Sequence, residues 1–249
     1  MFSLLLHCEP GQEDLLVADL AEVGTAGIIE EENGLRAFFE DSAGVLEVAS
    51  ALSVYAPARR LEAKIDWEQV TRDAWPPLLV GTRFFLVPPW RDDPAPGGRL
   101  RLEVNPGMAC GTGWHPCTQL CLEALEQHVQ PGDRVLDTGS GSGILCTAAI
   151  LLGAQPIGCD IDFEAVAVAR ERVSCPAITG SLDAIRSRSM DVIVANISSA
   201  AIEGLAHEFS RVRKAKSTLI LSGFPEWDRI EGFQVRSWMR KGEWLCGIC

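Results

Sequence analysis

The sequence predicts an α/β fold, a mostly parallel sheet edged by an antiparallel hairpin and preceded by a small α+β domain. Three observations point to it. From "RLRLEVNPG" onward, apolar strand-like runs alternate strictly with helix-like runs, and such alternation means parallel pairing because each crossover helix covers a sheet face. The first sixty or so residues follow the order β-α-β-β-α-β. The final stretch, "FQVRSWMRKGEWLCGIC", has two strand-like runs around Lys241-Gly242, the pattern of a hairpin.

Taken in order, "FSLLLHC" reads as a strand and "GQEDLLVADLAEVG" as an amphipathic helix ending at a glycine. "GIIEEENGLRAFFE" is a hairpin turning at Asn33-Gly34, "AGVLEVASALS" returns to helical spacing and "ARRLEAKI" is a strand. This order suits a ferredoxin-like sandwich. "DWEQVTRDAW" is helical, "TRFFLVPPW" a strand stopped by two prolines and "RDDPAPGGR" a turn. The expected boundary lies between Ile65 and Asp93, which gives an N-terminal domain over 1–65, a linker over 66–93 and a larger domain over 94–249. In the latter, the helices "CTQLCLEALEQHV", "GILCTAAILLG", "FEAVAVARERV" and "SAAIEGLAHEFSRVR" alternate with the strands "DRVLDTG", "QPIGCDID", "MDVIVANI" and "STLILSG".

Composition narrows the function classes. With 249 residues, 47% hydrophobic, the chain is long enough for one large domain or two. A net charge of −12 argues against a protein that coats nucleic acid and favours basic partners. No apolar run approaches the roughly 18–20 residues of a membrane span, and the N-terminal residues have no Lys or Arg ahead of a brief apolar stretch, so the expectation is a soluble cytoplasmic protein. Several of the nine cysteines, such as Cys121, Cys146 and Cys159, sit in apolar runs and read as reduced thiols. Cys246 and Cys249 form a lone C-x-x-C with no second pair or nearby His, so no metal site is expected.

"DTGSGSG" follows the first strand of the alternating region, and ligands of open parallel sheets bind beyond the carboxyl ends of strands. Gly139, Gly141 and Gly143 let the chain turn tightly and let a ligand lie against bare main chain, whose amides can receive an anionic group. A dinucleotide fingerprint with Gly139 and Gly141 as its first pair would need a small residue at position 144, which is Ile144. Asp160 ends the next strand, 21 residues after Gly139, where a carboxylate can accept hydrogen bonds from both hydroxyls of a ribose. It could instead cap the following helix, although Asp162 suits that role better. Ahead of the glycine loop, "NPGMACGTGWHPCT" contains Gly111, Thr112, Gly113, His115 and Thr118; such a loop can cover a ligand while Thr118 aims its hydroxyl at it. His115 suggests a base, but a His before Pro116 can equally bond the backbone. Asn196 ends "VIVAN", where a side-chain amide can orient an amine or cap the next helix.

Together, "PGMACGTGWHPCT", "VLDTGSGSGILCTAA", "GCDID", "VIVAN" and "KGEW" resemble the PrmA family, the methyltransferases of ribosomal protein L11, in order and spacing from about Trp67 to Trp244. The resemblance implies a class I, Rossmann-like methyltransferase domain behind an N-terminal substrate-recognition domain. It implies S-adenosylmethionine as cofactor, S-adenosylhomocysteine as product, and protein amino groups as acceptors. Thr118, Gly139, Asp160 and Asn196 would be the cofactor-contacting positions, with Gly141, Gly143, Gly111 and Thr112 in the same loops. The chain departs from the family at Cys110 and Cys117, where Phe and Thr are usual, and "GFPEWDRIEGFQV" leaves little room for the usual crossover helix.

No carboxylate or His immediately follows Asn196, so the expected mechanism has no dedicated strong base: Asn196 and nearby carbonyls orient a neutral amine, and water takes its proton. The other readings are a methyltransferase of the same fold acting on another protein or a small molecule, a nicotinamide-dependent oxidoreductase, and a silent relative that binds without transferring.

Overall fold

The computed structural model describes residues 2–7, 13–31, 34–40, 44–55, 58–61, 75–105, 113–172 and 176–249. Asn33 of the expected hairpin turn and most of the expected helix "DWEQVTRDAW" lie outside them, as do Gly111 and Thr112. Contacts divide the chain into two compact units, Met1–Thr71 and Arg72–Cys249.

The first unit carries β1 (Phe2–Leu6), α1 (Glu13–Glu22), β2 (Gly27–Glu31), β3 (Gly34–Phe39), α2 (Val45–Ala51) and β4 (Ala58–Leu61). Its sheet order is β2-β3-β1-β4, every pair antiparallel. Alternate residues Phe2, Leu4 and Leu6 of β1 reach one core together with Leu16 and Leu20 of α1, the outcome of period two meeting period 3.6.

The second unit begins with a small sheet of β5 (Leu78–Val80), β6 (Phe84–Val87) and β7 (Leu100–Glu103). Two of these strands fall in the span assigned above to a linker. They are built into the unit because Phe84 and Leu86 are buried in its core and the Glu126 carboxylate accepts from the Thr82 and Arg83 amides at 3.0 and 2.9 Å. Then follow α3 (Pro116–His128), β8 (Arg134–Thr138), α4 (Ile144–Leu151), β9 (Gln155–Asp160), α5 (Phe163–Arg172), β10 (Ala177–Thr179) and β11 (Met190–Asn196). After β11 come α6 (Ser199–Gly204), α7 (Ala206–Val212), β12 (Arg213–Pro225), β13 (Ser237–Lys241) and β14 (Trp244–Ile248).

These strands form one seven-stranded sheet, β10-β9-β8-β11-β12-β14-β13. The first five are parallel, and β14 runs antiparallel to β12 and β13, so the expected C-terminal hairpin forms the edge. Successive residues feed opposite faces: Val192, Val194 and Ile220 enter one core, while Ile193, Ala195 and Leu221 enter the other. Burial on both faces is what the near-continuous apolar strands require. Lys241 fastens the hairpin to α3, with its ammonium 2.7 Å from Glu123 Oε1 and 2.8 Å from Gln119 Oε1.

Two expectations are corrected. "SAAIEGLAHEFSRVR" is two helices, broken at Leu205 just after Gly204, a residue whose freedom disfavours helix continuation. The last parallel strand extends beyond "STLILSG" in both directions, because Arg213 pairs with Met190 and Phe224 and Pro225 pair with Leu245 and Trp244. Among the described residues no helix is long and apolar enough to cross a membrane.

Candidate functional site

The strand order reverses between β8 and β11, since β8 continues outward to β9 while β11 continues to β12 on the other side. At that point an open parallel sheet leaves a crevice beyond its carboxyl ends. A cavity of about 710 Å³ lies there. It is walled by the start of α3, the loop after β8, the ends of β9 and β11, and Trp244.

The loop is folded back by its own amides. Gly139 N and Ser140 N both donate to Cys159 O, at 2.8 and 3.1 Å, and Gly143 N donates to Ser140 O at 2.8 Å. Gly139 has φ +70°, and a Cβ there would collide with Ile197 Cγ2, so the first glycine answers both to conformation and to the loop after β11. Gly139 and Gly141 line the cavity; Gly143 stands behind them as the residue preceding α4.

Asp160 ties the loop to β9. Its Oδ2 accepts from Gly141 N at 2.9 Å and its Oδ1 from Asp162 N at 3.0 Å. Each carboxylate oxygen can accept a second hydrogen bond, and Asp160 borders the cavity. The helix cap is Asp162, whose Oδ1 accepts from Glu164 N at 2.8 Å. The other wall joins two residues far apart in sequence: Asn196 Nδ2 donates to Thr118 Oγ1 at 3.2 Å. Ser198 caps α6, accepting from Ala201 N at 3.4 Å, so Asn196 is not needed for that task.

His115 precedes α3, and its Nδ1 accepts from Cys117 N at 3.3 Å. Its ring meets Trp244 edge to face at 4.6 Å. Nδ1 is thus engaged in capping the start of α3, while the residue also borders the cavity.

Several residues of this region escape the motif reading. The Thr138 and Ser140 hydroxyls are buried, border the cavity and have no hydrogen-bond partner among the described residues. Their places on either side of Gly139 in "DTGSG" were the available signal. Asp137, immediately behind them, is fully buried, and its carboxylate faces the Cys146 thiol and amide. Burial pushes its pKa up to about 7; the nearby Cys146 thiol and amide oppose this, and the charge of Asp160 adds to it. Burial likewise pushes the cavity-lining Cys159 thiol up to about 12 and raises Cys117, so neither is a thiolate nucleophile at neutral pH.

The raised Asp137 pKa has a consequence for stability. A carboxyl with an ordinary pKa when unfolded and about 7 when folded costs nothing below about pH 4, and its cost grows between about pH 4 and 7 and is complete above. Asp137→Asn removes this dependence. In urea unfolding, the variant should gain on the wild type by a few kcal/mol between about pH 5 and pH 8, a comparison that cancels any fixed cost of the amide. Parallel pH dependence of the two proteins would reject the assignment.

Residues 13–248 match the family model described as Ribosomal protein L11 methyltransferase (PrmA). A ribosomal protein L11 methyltransferase of Paraburkholderia xenovorans is 40% identical over 212 residues, covering 81% of this chain and 69% of its own. One from Paraburkholderia phytofirmans is 38% identical over 224 residues, covering 83% of this chain and 74% of its own. Among solved structures, a ribosomal protein L11 methylase from Lactobacillus delbrueckii subsp. bulgaricus matches with a TM-score of 0.62 and 26% identity, over 69% of this chain and 95% of that one.

Proposed function

The chain belongs to the ribosomal protein L11 methyltransferase family, and from that membership we propose that it transfers methyl groups from S-adenosylmethionine to amino groups of an L11-type ribosomal protein. The observation that carries this reading is Asp160, held by two backbone amides at the end of β9 with acceptor capacity left beside the cavity.

The residues present fit the cofactor. A cavity of about 710 Å³ falls within the ~300–1,000 Å³ of small-molecule sites. Asp160 would accept from the ribose hydroxyls, and the exposed Ile161 beside it would cover the adenine. The orphaned Thr138 and Ser140 hydroxyls and the Gly139–Gly141 main chain would receive the amino-acid end. Ile144, 6% exposed, stands where a dinucleotide loop needs a small residue, which disfavours a nicotinamide cofactor. Gly111 and Thr112 belong to the same proposed cofactor-binding set, as does Gly143 through its place at the start of α4.

When bound, S-adenosylmethionine supplies an electrophilic methyl on a positively charged sulfur. The chain's own residues do the rest by placement. Thr118 Oγ1 holds the Asn196 amide nitrogen, which fixes the amide plane and leaves Asn196 Oδ1 to accept a hydrogen from the incoming amine. A lysine ammonium has an ordinary pKa near 10.4, and apolar walls such as Leu145, Ile197 and Leu205 favour its neutral, reactive form. Solvent takes the proton. The protonated Cys117 and Cys159 thiols and the Nδ1 of His115 taken up by the Cys117 amide leave this orienting role, rather than a covalent one, to the site.

Ionised Asp137 sets a negative potential behind the loop. It favours the sulfonium cofactor over the product, whose sulfur is neutral. S-Adenosylmethionine should therefore bind more tightly at about pH 8 than at pH 6, S-adenosylhomocysteine should change less, and Asp137→Asn should remove the difference in calorimetric titrations. Other ionisable groups acting on this carboxyl, Asp160, Cys121 and Cys159, remain in the variant as an internal control. Equal pH slopes for the two nucleotides would contradict the assignment.

The N-terminal unit is assigned to partner recognition. Residues 1–71 hold 14 of the chain's acidic side chains against 4 basic ones, a field suited to a basic protein in the cytoplasm. The whole reading is tested by incubating the protein with S-adenosylmethionine and purified L11 and weighing intact L11. Mass gains in steps of one methyl support it. No gain on L11, with label incorporated into another protein or a metabolite, would reassign the acceptor.

A further inference from the structure

The connection from β12 to β13 holds no crossover helix, only a short 3-10 turn at Glu226–Asp228 followed by irregular chain. This turn is fastened on every side. Glu226 N donates to Glu243 O at 2.8 Å, and the Glu226 carboxylate lies 3.0 Å from the Arg240 guanidinium. Asp228 Oδ2 accepts from Ser199 Oγ at 2.6 Å, and Glu231 N donates to Glu203 Oε1 at 2.8 Å. In the middle of this anchored segment Trp227 is 73% exposed.

Its neighbours belong to the amine end of the cavity. Ser199, bonded to Asp228, follows Ser198 of the cavity wall and lies three residues beyond Asn196. Pro225 pairs with Trp244, another wall residue. Gly223 also lines the cavity, at φ +105°, and a Cβ there would collide with the Ile197 main chain, so β12 is pressed against the loop after Asn196. Exposed Ile161, which also lines the cavity, and exposed Phe163, which opens α5, follow β9, three strand positions or ~14 Å across the sheet from β12. Trp227 is therefore on the side of the transferred group.

We infer that Trp227 is the docking anchor for the amine-bearing segment of the protein substrate, its indole packing against the aliphatic stem beside the methylated nitrogen. A large aromatic held rigidly in water loses little freedom on binding and gains much buried area, which is how aromatic anchors dominate interfaces. The occupant is a basic polypeptide segment. Glu226 and Asp228 flank Trp227 in the chain, Glu243 is tied to the turn through its carbonyl and Glu231 follows it, whereas Arg240 is paired with Glu226 and Arg229 lies over the Trp238 ring at 4.0 Å. A lysine chain over an indole face adds cation–π attraction. This inference rests on the protein methyltransferase reading and adds a specificity residue to it.

The test is steady-state kinetics on the full chain with L11 as acceptor, alongside S-adenosylhomocysteine titration. Trp227→Ala should raise KM for L11 about 10-fold or more, change kcat less than about 3-fold and leave nucleotide affinity unchanged, while Trp227→Phe recovers most of KM. A KM within about twofold of wild type, or a parallel loss of nucleotide affinity, overturns the anchor. If wild type is active on L11 and Trp227→Ala matches it, only the anchor falls. If wild type leaves L11 unmodified, the acceptor assignment falls with it.

Discussion

Replacing Asp160 by alanine should weaken S-adenosylhomocysteine binding by at least about 100-fold. Two losses combine. The ribose hydroxyls lose a charged acceptor, and hydrogen bonds to charged groups contribute roughly 1.5–3 kcal/mol each. The loop after β8 also loses a tie, because Asp160 Oδ2 accepts from Gly141 N at 2.9 Å, which leaves the Cys159 carbonyl to hold the loop at Gly139 and Ser140. Asp160→Asn separates the two losses. One amide oxygen can still accept from Gly141 N or from a hydroxyl, so its affinity should fall between the other two proteins. Calorimetry gives both numbers, and an Asp160→Ala affinity within a few-fold of wild type would remove the carboxylate from the site.

The second large effect is expected at Asn196, and it should appear in a different constant. Asn196→Ala removes the amide that orients the amine but leaves Asp160 and the glycine loop intact, so nucleotide affinity should stay within a few-fold while kcat falls about 100-fold or more. Thr118→Val keeps the shape of the Asn196 partner and deletes its hydroxyl. It should lower kcat by less, since the amide remains but its plane is no longer held. Single-turnover methylation of L11 at saturating cofactor reads the step directly. Unchanged turnover in Asn196→Ala would show that the amine is positioned by other groups.

These two sites were legible in the sequence to different degrees. The glycine loop and Asp160 belong to consecutive β-α-β elements, so their spacing of 21 residues carries geometric meaning by itself. Thr118 and Asn196 could each be nominated from position on a helix start or strand end. Their 3.2 Å contact could not, because it joins residues 78 apart and depends on α3 packing over β11 and β12. The alternation of apolar runs was enough for the long strands. It was not enough for β5 and β10, which at three residues are too short to display a period. The strand read in "TRFFLVPPW" is β6, but its place in the larger unit rather than in a linker was not legible, because the Glu126 carboxylate that holds the turn before it is distant in sequence.

Side-chain environment was the least legible level. Nothing in "LDTG" announces that Asp137 is sealed from water while Asp160, one strand over, is held by two amides at the cavity rim. Both are Asp near the carboxyl end of a parallel strand. The difference is that Asp137 points into the interior behind the loop, whereas Asp160 sits at the rim. Trp227 shows the converse, since a Trp in "PEWDR" would ordinarily be taken for core until its 73% exposure is seen.

The measurement that tests the central claim most directly is a pair of calorimetric titrations of the unmodified protein, one with S-adenosylhomocysteine and one with NADH. A cavity built on Gly139, Asp160 and Ile144 predicts saturable one-site binding of S-adenosylhomocysteine and no heat from NADH. Binding of NADH with no heat from S-adenosylhomocysteine would contradict the account.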